Sequence, residues 1–180
     1  ITFRMAPRIN AAGRLGNAVS ALQLLTASNI VQAYKFADML ESFNQKRQAK
    51  EQEIFSEAKR QVESDPNFEN SVTITAAGEN WHQGVIGIVA SRFARDYNRP
   101  AIVLTIQGEE AHGSGRSIGG LNLIRILSHC SHLLTRYGGH PMAVGLGLHK
   151  SKIAEFQRLF EESVRAEARP EDLLDSVSYD

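Results

Sequence analysis

From Ile30 to Ser64 the chain contains neither glycine nor proline, so nothing in that stretch interrupts a helix. Ile30, Ala33, Ala37, Leu40, Ile54, Ala58 and Val62 recur there at helical spacing, which gives one apolar face. At 1.5 Å per residue the run predicts a helix of about 50 Å, longer than a small domain's core needs and suited to bridging two lobes. Asn29 followed by Gln32 offers an N-cap with capping-box character, and Asp65-Pro66-Asn67 ends the run. Asn44 and Arg47 stand at i and i+3 where the apolar stripe should continue. They form either a solvated stretch between domains or a contact to a ligand or another lobe.

Residues 1 to 17 carry turn chemistry at Pro7, Asn10, Gly13 and Gly16, which reads as a loop leading into a short helix at 19–27. After residue 66 the pattern changes. Val72 to Ala77 and Ala101 to Ile106 are strand-like runs around a helical segment from Gly84 to Tyr97, a βαβ unit. Gln107-Gly108-Glu109-Glu110 is a hairpin signal that makes a third strand, 111–116, antiparallel to the second. A helix at 121–134, a strand entering Gly138, a strand at 143–148 and a helix at 152–168 complete the series. The fold class expected is α/β, a mixed sheet with helices on both faces behind a long connecting helix. No repeat is visible.

Three glycine-rich segments suggest phosphate binding: Trp81-His82-Gln83-Gly84-Val85-Ile86-Gly87, Gly113-Ser114-Gly115-Arg116-Ser117 and Gly138-Gly139-His140. Each pairs glycines, which let backbone approach an anion, with side chains that donate to oxyanions. The first joins a strand to a helix start, where amides can face an anion, although Gly84 and Gly87 could equally ease helix packing and His82 could be a plain surface residue. It lacks the lysine of a Walker loop and the Gly-x-Gly-x-x-Gly spacing of dinucleotide sites. In the second, two hydroxyls and a guanidinium lie within five residues, a compact oxyanion site. In the third, His140 could donate a hydrogen bond or act as a general acid near a reacting phosphorus, or be an ordinary strand-end histidine. The ligand implied is a phosphodiester.

Charge and composition narrow the choice. The formal net charge is zero, but Arg4, Arg8 and Arg14 face no acid in the first fourteen residues, while four basic and eight acidic residues lie from Lys152 to Asp180. A phosphate therefore belongs near the arginine end. Cys130, the single cysteine, excludes an internal disulfide or cysteine-based zinc site, reads as a small apolar residue on a helix and suits a reducing cytoplasm. No apolar run approaches membrane-spanning length. The histidines lack a metal-binding spacing and the glycine-rich region has no Asp-rich segment of the kind that binds Mg²⁺ or Mn²⁺, so no metal site is expected here, whereas phosphodiester hydrolysis commonly uses two carboxylate-held ions. Trp81 is the one loop candidate for base stacking. The opening Ile1-Thr2-Phe3-Arg4 reads as the start of a fragment.

Ala6-Pro7-Arg8-Ile9-Asn10-Ala11-Ala12-Gly13-Arg14, His82 to Arg92, Gly113 to Ser117 and Gly138 to Gly145 resemble, in order, motifs of the RecJ family of single-strand-specific 5′→3′ DNA exonucleases, in the DHH phosphoesterase superfamily. The likeness covers essentially the whole chain. The last three motifs occur broadly in DHH-associated domains, and the first, with Asn44 and Arg47, singles out RecJ. The resemblance implies the edge of a catalytic lobe over 1–28, a connecting helix over 29–66, a DHH-associated substrate-binding domain over 67–170 and a linker over 171–180. Mn²⁺ or Mg²⁺ would be held by the absent lobe, leaving this piece inactive alone. It also implies that Arg116, Ser114 and Ser117 bind a 5′-terminal phosphate or nearby backbone and that His140 lies against the scissile phosphate. Arg8, Asn10 and Arg14 would line the strand's path, and Asn44, Arg47, His82 and Arg92 would complete the nucleic-acid-binding set. Val144 stands where relatives usually have alanine. Single-stranded DNA, single-strand-binding protein and a helicase are the implied partners, in DNA repair and recombination. Alternatives are an oligoribonuclease or cyclic-dinucleotide phosphodiesterase of the superfamily, or a noncatalytic nucleic-acid-binding module like that of alanyl-tRNA synthetases.

Overall fold

The structure, a computed structural model, describes residues 4–16 and 18–169; the expected linker at 171–180 lies outside them. Two compact units divide at Glu53 and Ile54. That division falls inside the long helix rather than at its ends.

The first unit holds α1 (Met5–Leu15), α2 (Val19–Leu25) and the first part of α3 (Ile30–Glu63). The loop expected before residue 17 is instead largely helical. Pro7 is tolerated because it is the third helical residue, where a backbone N–H has no intrahelical partner to lose. Ala11 and Ala12 then turn inward, and a small core forms from Ala12, Ala21 and Leu40 with Ile9, Leu24 and Phe43 against it. The Asn29 cap forms as expected, with Gln32 N donating to Asn29 Oδ1 at 3.0 Å. The reciprocal half of the capping box is replaced, because the Gln32 side chain accepts from the Ser28 hydroxyl.

In the second unit the end of α3 presents Ile54, Phe55, Ala58 and Val62, all buried. β1 (Ile74–Glu79), α4 (Gln83–Tyr97) and β2 (Ala101–Gln107) form the expected βαβ unit, with β1 and β2 parallel. Gly108, at φ +64, makes the tight turn into β3 (Glu110–Arg116), which pairs antiparallel with β2. After α5 (Leu123–His129), shorter than expected and followed by one 3₁₀ turn, come β4 (Leu134–His140), β5 (Ala143–His149) and α6 (Ile153–Glu167). The sheet has five strands in the order β1-β2-β3-β5-β4, the mixed arrangement read from the sequence. Buried Ala101 to Thr105 mark β2 as an interior strand with both faces covered. α4 packs on one face over β2 and β3, and α5, with α6 beside it, packs on the other.

The outer border of β1 is closed by side chains. Gln61 Oε1 accepts from Ala77 N at 3.1 Å, Gln157 Nε2 donates to Thr75 O at 3.2 Å, and the Glu161 carboxylate accepts from Val72 N at 2.9 Å. They satisfy main-chain groups that an edge strand would otherwise leave open.

α4 ends on Asn98, which is left-handed at φ 46. Asparagine tolerates that geometry better than other side-chain-bearing residues. Asn98→Ala is expected to cost about 1 kcal/mol and Asn98→Gly to be neutral or stabilising, as read by urea unfolding.

Candidate functional site

Strand register decides which of the sequence motifs meet. Arg116 pairs with Ala143 on β5, and Ala143 pairs with His140 on β4. Directly opposed residues point to the same side of a sheet, so the guanidinium and the imidazole rise from one face in one row. Two strand spacings separate them, about 10 Å. A second row runs Ser114, Gly145, Gly138, and a third His112, Gly147, Arg136. All three lie on the face that carries α4, because a side chain added at Gly87 of α4 would meet Ser114 Oγ at 2.9 Å and Arg116 at 3.1 Å. α4 stops over β3, which leaves β5 and β4 open beside it.

The result is a trough beside α4. Part of it is a groove of about 370 Å³ lined by Gln83, Ile86, His112, Ser114, Arg136 and Gly138, among others. Its middle row is bare. A Cβ built at Gly138 would meet nothing within 4 Å, and one at Gly145 only a main-chain oxygen at 4.0 Å. Neither has a positive φ, so neither packing nor backbone conformation within the chain requires glycine at these positions. The floor of the trough is flat at these two positions.

Other glycines serve the fold. Added side chains at Gly113 and Gly115 would strike Leu104 and Leu146, and Val144 and Ile102, respectively. The amides of this segment belong to a strand paired on both sides, so they are committed to the sheet. Gly87 gives Arg116 its room, and the guanidinium donates to Ser114 Oγ at 3.1 Å and to Gly115 O at 2.7 Å. Ser117 is a correction: it is buried, and its hydroxyl lies within 2.9 Å of Leu121 O and 3.1 Å of Ile118 O. Its backbone matters more. Ser117 N donates to Met142 O at 3.0 Å and Leu123 N to Pro141 O at 2.9 Å, which ties the turn after His140 to the end of the Arg116 strand.

Several further expectations are redirected. The His82 side chain caps α4, with Nδ1 accepting from Gly84 N at 3.1 Å, and its carbonyl accepts from Val85 N at 2.8 Å. The helix-start amides that might face an anion are thus engaged by His82. Arg92 lies over the Phe55 ring at 3.7 Å and pairs with Asp96 at 3.4 Å, away from the trough. Trp81 is buried, donates to Glu57 Oε2 at 3.0 Å and covers Gly78, so it is core rather than a stacking platform. Cys130 is buried as expected, and burial pushes its thiol pKa up.

In the first unit Arg8 pairs with Glu41, while Asn10 and Arg14 share an exposed face of α1 at i and i+4. The three do not line one path. Asn44 is buried and accepts from Arg47 at 3.0 Å, and Arg47 also pairs with Glu51 at 2.5 Å. Asn44 is thus withdrawn from solvent while Arg47 is half-buried, and Arg47 Nε is buried with no hydrogen-bond partner among the described residues.

A Mg²⁺ or Mn²⁺ ion needs several oxygen ligands. No carboxylate stands in the three rows, and among the described residues no three His, Cys, Asp or Glu side chains gather to hold a metal. The residues present do not fit such an ion.

The DHHA1 domain family matches residues 69–166. The chain is 36% identical to the single-stranded-DNA-specific exonuclease RecJ of Bacillus subtilis over 97% of its own length and 22% of that protein's. Against RecJ of Escherichia coli it is 37% identical over 99% of the chain and 32% of the relative. It thus spans a third or less of these proteins. The structure of Thermus thermophilus RecJ in complex with Mn²⁺ superposes with a TM-score of 0.82 at 33% identity, covering 93% of this chain and 24% of that one. A second manganese-bound exonuclease RecJ gives 0.80 at 31% identity, over 97% of this chain and 43% of that one.

Proposed function

Because the chain belongs to the DHHA1 domain family, we propose that it is the substrate-binding part of a metal-dependent exonuclease that degrades single-stranded DNA from the 5′ end. The observation that carries this reading is the Arg116–Ala143–His140 row beside the bare Gly145–Gly138 floor. A guanidinium grips a phosphate bidentately, the glycines admit the sugar–phosphate backbone, and the imidazole supplies a donor or a proton at the reacting phosphorus. Ser114 orients Arg116. Ser117 acts through its backbone and His82 through the α4 cap, both as positioning residues.

The metal ions belong to a different lobe, in keeping with the poor fit of the present residues to a cation, and the piece is inactive alone. Lewis-acid activation of water is the chemistry those ions supply when bound. Leu22, Leu25, Ile30, Val31 and Tyr34 of the first unit are each at least 60% exposed, an apolar surface suited to burial against more of the protein. On the exposed face of α1, Asn10 and Arg14 are offered to the incoming strand. The intact enzyme works in the cytoplasm in DNA repair and recombination, where a buried lone thiol stays reduced.

The test is Arg116→Ala in the full-length enzyme. Affinity for 5′-phosphorylated single strands is expected to fall by about tenfold or more, and the gain from the 5′-phosphate should shrink. Wild-type binding with the phosphate preference intact would remove the assignment.

A further inference from the structure

The third row of the trough is not used by that reading. Arg136 and His112 face each other across Gly147, with Arg136 Nη2 and His112 Nδ1 at 3.1 Å. Both line the groove. Arg136 is exposed, and among the described residues no carboxylate pairs with it. Gly147 is what lets the two meet, since a Cβ there would press on the Arg136 side chain at 3.1 Å. The ring nitrogen fixes one end of the guanidinium and leaves its other N–H groups for an anion.

Spacing gives the anion its identity. His112 and Arg116 lie four residues apart on β3, as Arg136 and His140 do on β4, which is about 14 Å along the sheet. Arg136 stands two strand spacings from β3, but its guanidinium reaches across to His112, so the distance from Arg116 to that pair is about the 14 Å along the sheet, the reach of two sugar–phosphate repeats of an extended strand. The Ser114–Gly145–Gly138 row, bare at its two glycines, lies between. Resting on the functional reading above, we propose that Arg136, oriented by His112, holds a second backbone phosphate two nucleotides from the one at Arg116. The trough then measures strand length as well as gripping an end.

The experiment compares wild-type, Arg136→Ala and Arg116→Ala full-length enzyme on 5′-phosphorylated thymidine oligonucleotides of two, three, four and eight residues. Wild-type affinity should step up when the strand is long enough to reach Arg136. Arg136→Ala should lose that step, weakening octamer binding by about tenfold with the dinucleotide unchanged, and should reduce the salt dependence for the octamer by about 0.7 in log–log slope. His112→Ala should give a smaller loss with the same length dependence. An equal loss at every length, or none at any length, overturns the inference. If Arg136→Ala is like wild type while Arg116→Ala is impaired throughout, only the second phosphate contact fails; if Arg116→Ala is also like wild type, the underlying reading fails too.

Discussion

Full-length enzyme carrying His140→Ala is expected to lose about 10²- to 10⁴-fold in kcat on single-stranded DNA, with KM close to wild type. His140 is exposed at the last position of β4, and the turn that follows it is anchored by Ser117 N and Leu123 N. It sits in the Arg116 row. A group placed this way can meet a phosphate that Arg116 has already bound, so its removal should affect the chemical step more than affinity. Being exposed, it contributes little to folding, and thermal unfolding should move only slightly. Unchanged turnover would show that His140 takes no part in the reaction, and a parallel loss of stability would make it structural.

Gly145→Val should separate stability from activity. The position is exposed, has no positive φ and offers open space for a Cβ, and valine favours strands. Folding should be unaffected or improved, because the replaced glycine also loses unfolded-state freedom. The new side chain would stand in the trough between Ser114 and Gly138, displacing the backbone of a bound strand. A displacement of about 1 Å can cost about 10²-fold, so kcat/KM on single-stranded DNA should fall by at least that much. Full activity with a valine at this position would mean that no ligand passes over the glycines.

The elements of the second unit were legible because their signals are local. Pro100 and Gly108 punctuate the strands, and the apolar run of β2 marks a strand buried on both sides. α1 is not legible as a helix because turn-forming residues also fit a helix's first turn, where Pro7 sits, and the inward-facing Ala11 and Ala12 outweigh Gly13. Arg116 and His140 could be singled out by residue type, but their sharing one face is set by register, which no single segment encodes. His112 and Arg136 were missed although a signal existed. His112, Ser114 and Arg116, like Arg136, Gly138 and His140, alternate with period two, which groups each set on one side of its strand. Arg92, Trp81 and Ser117 went the other way, since each has the right functional group but is committed to partners distant in sequence or to a buried turn.

The borrowed amides of Gln61 and Gln157 along β1 leave the sheet with unequal borders. Any polypeptide that templates on this domain by strand addition would have to arrive at β4, the opposite margin. There it would lie alongside Arg136, Gly138 and His140.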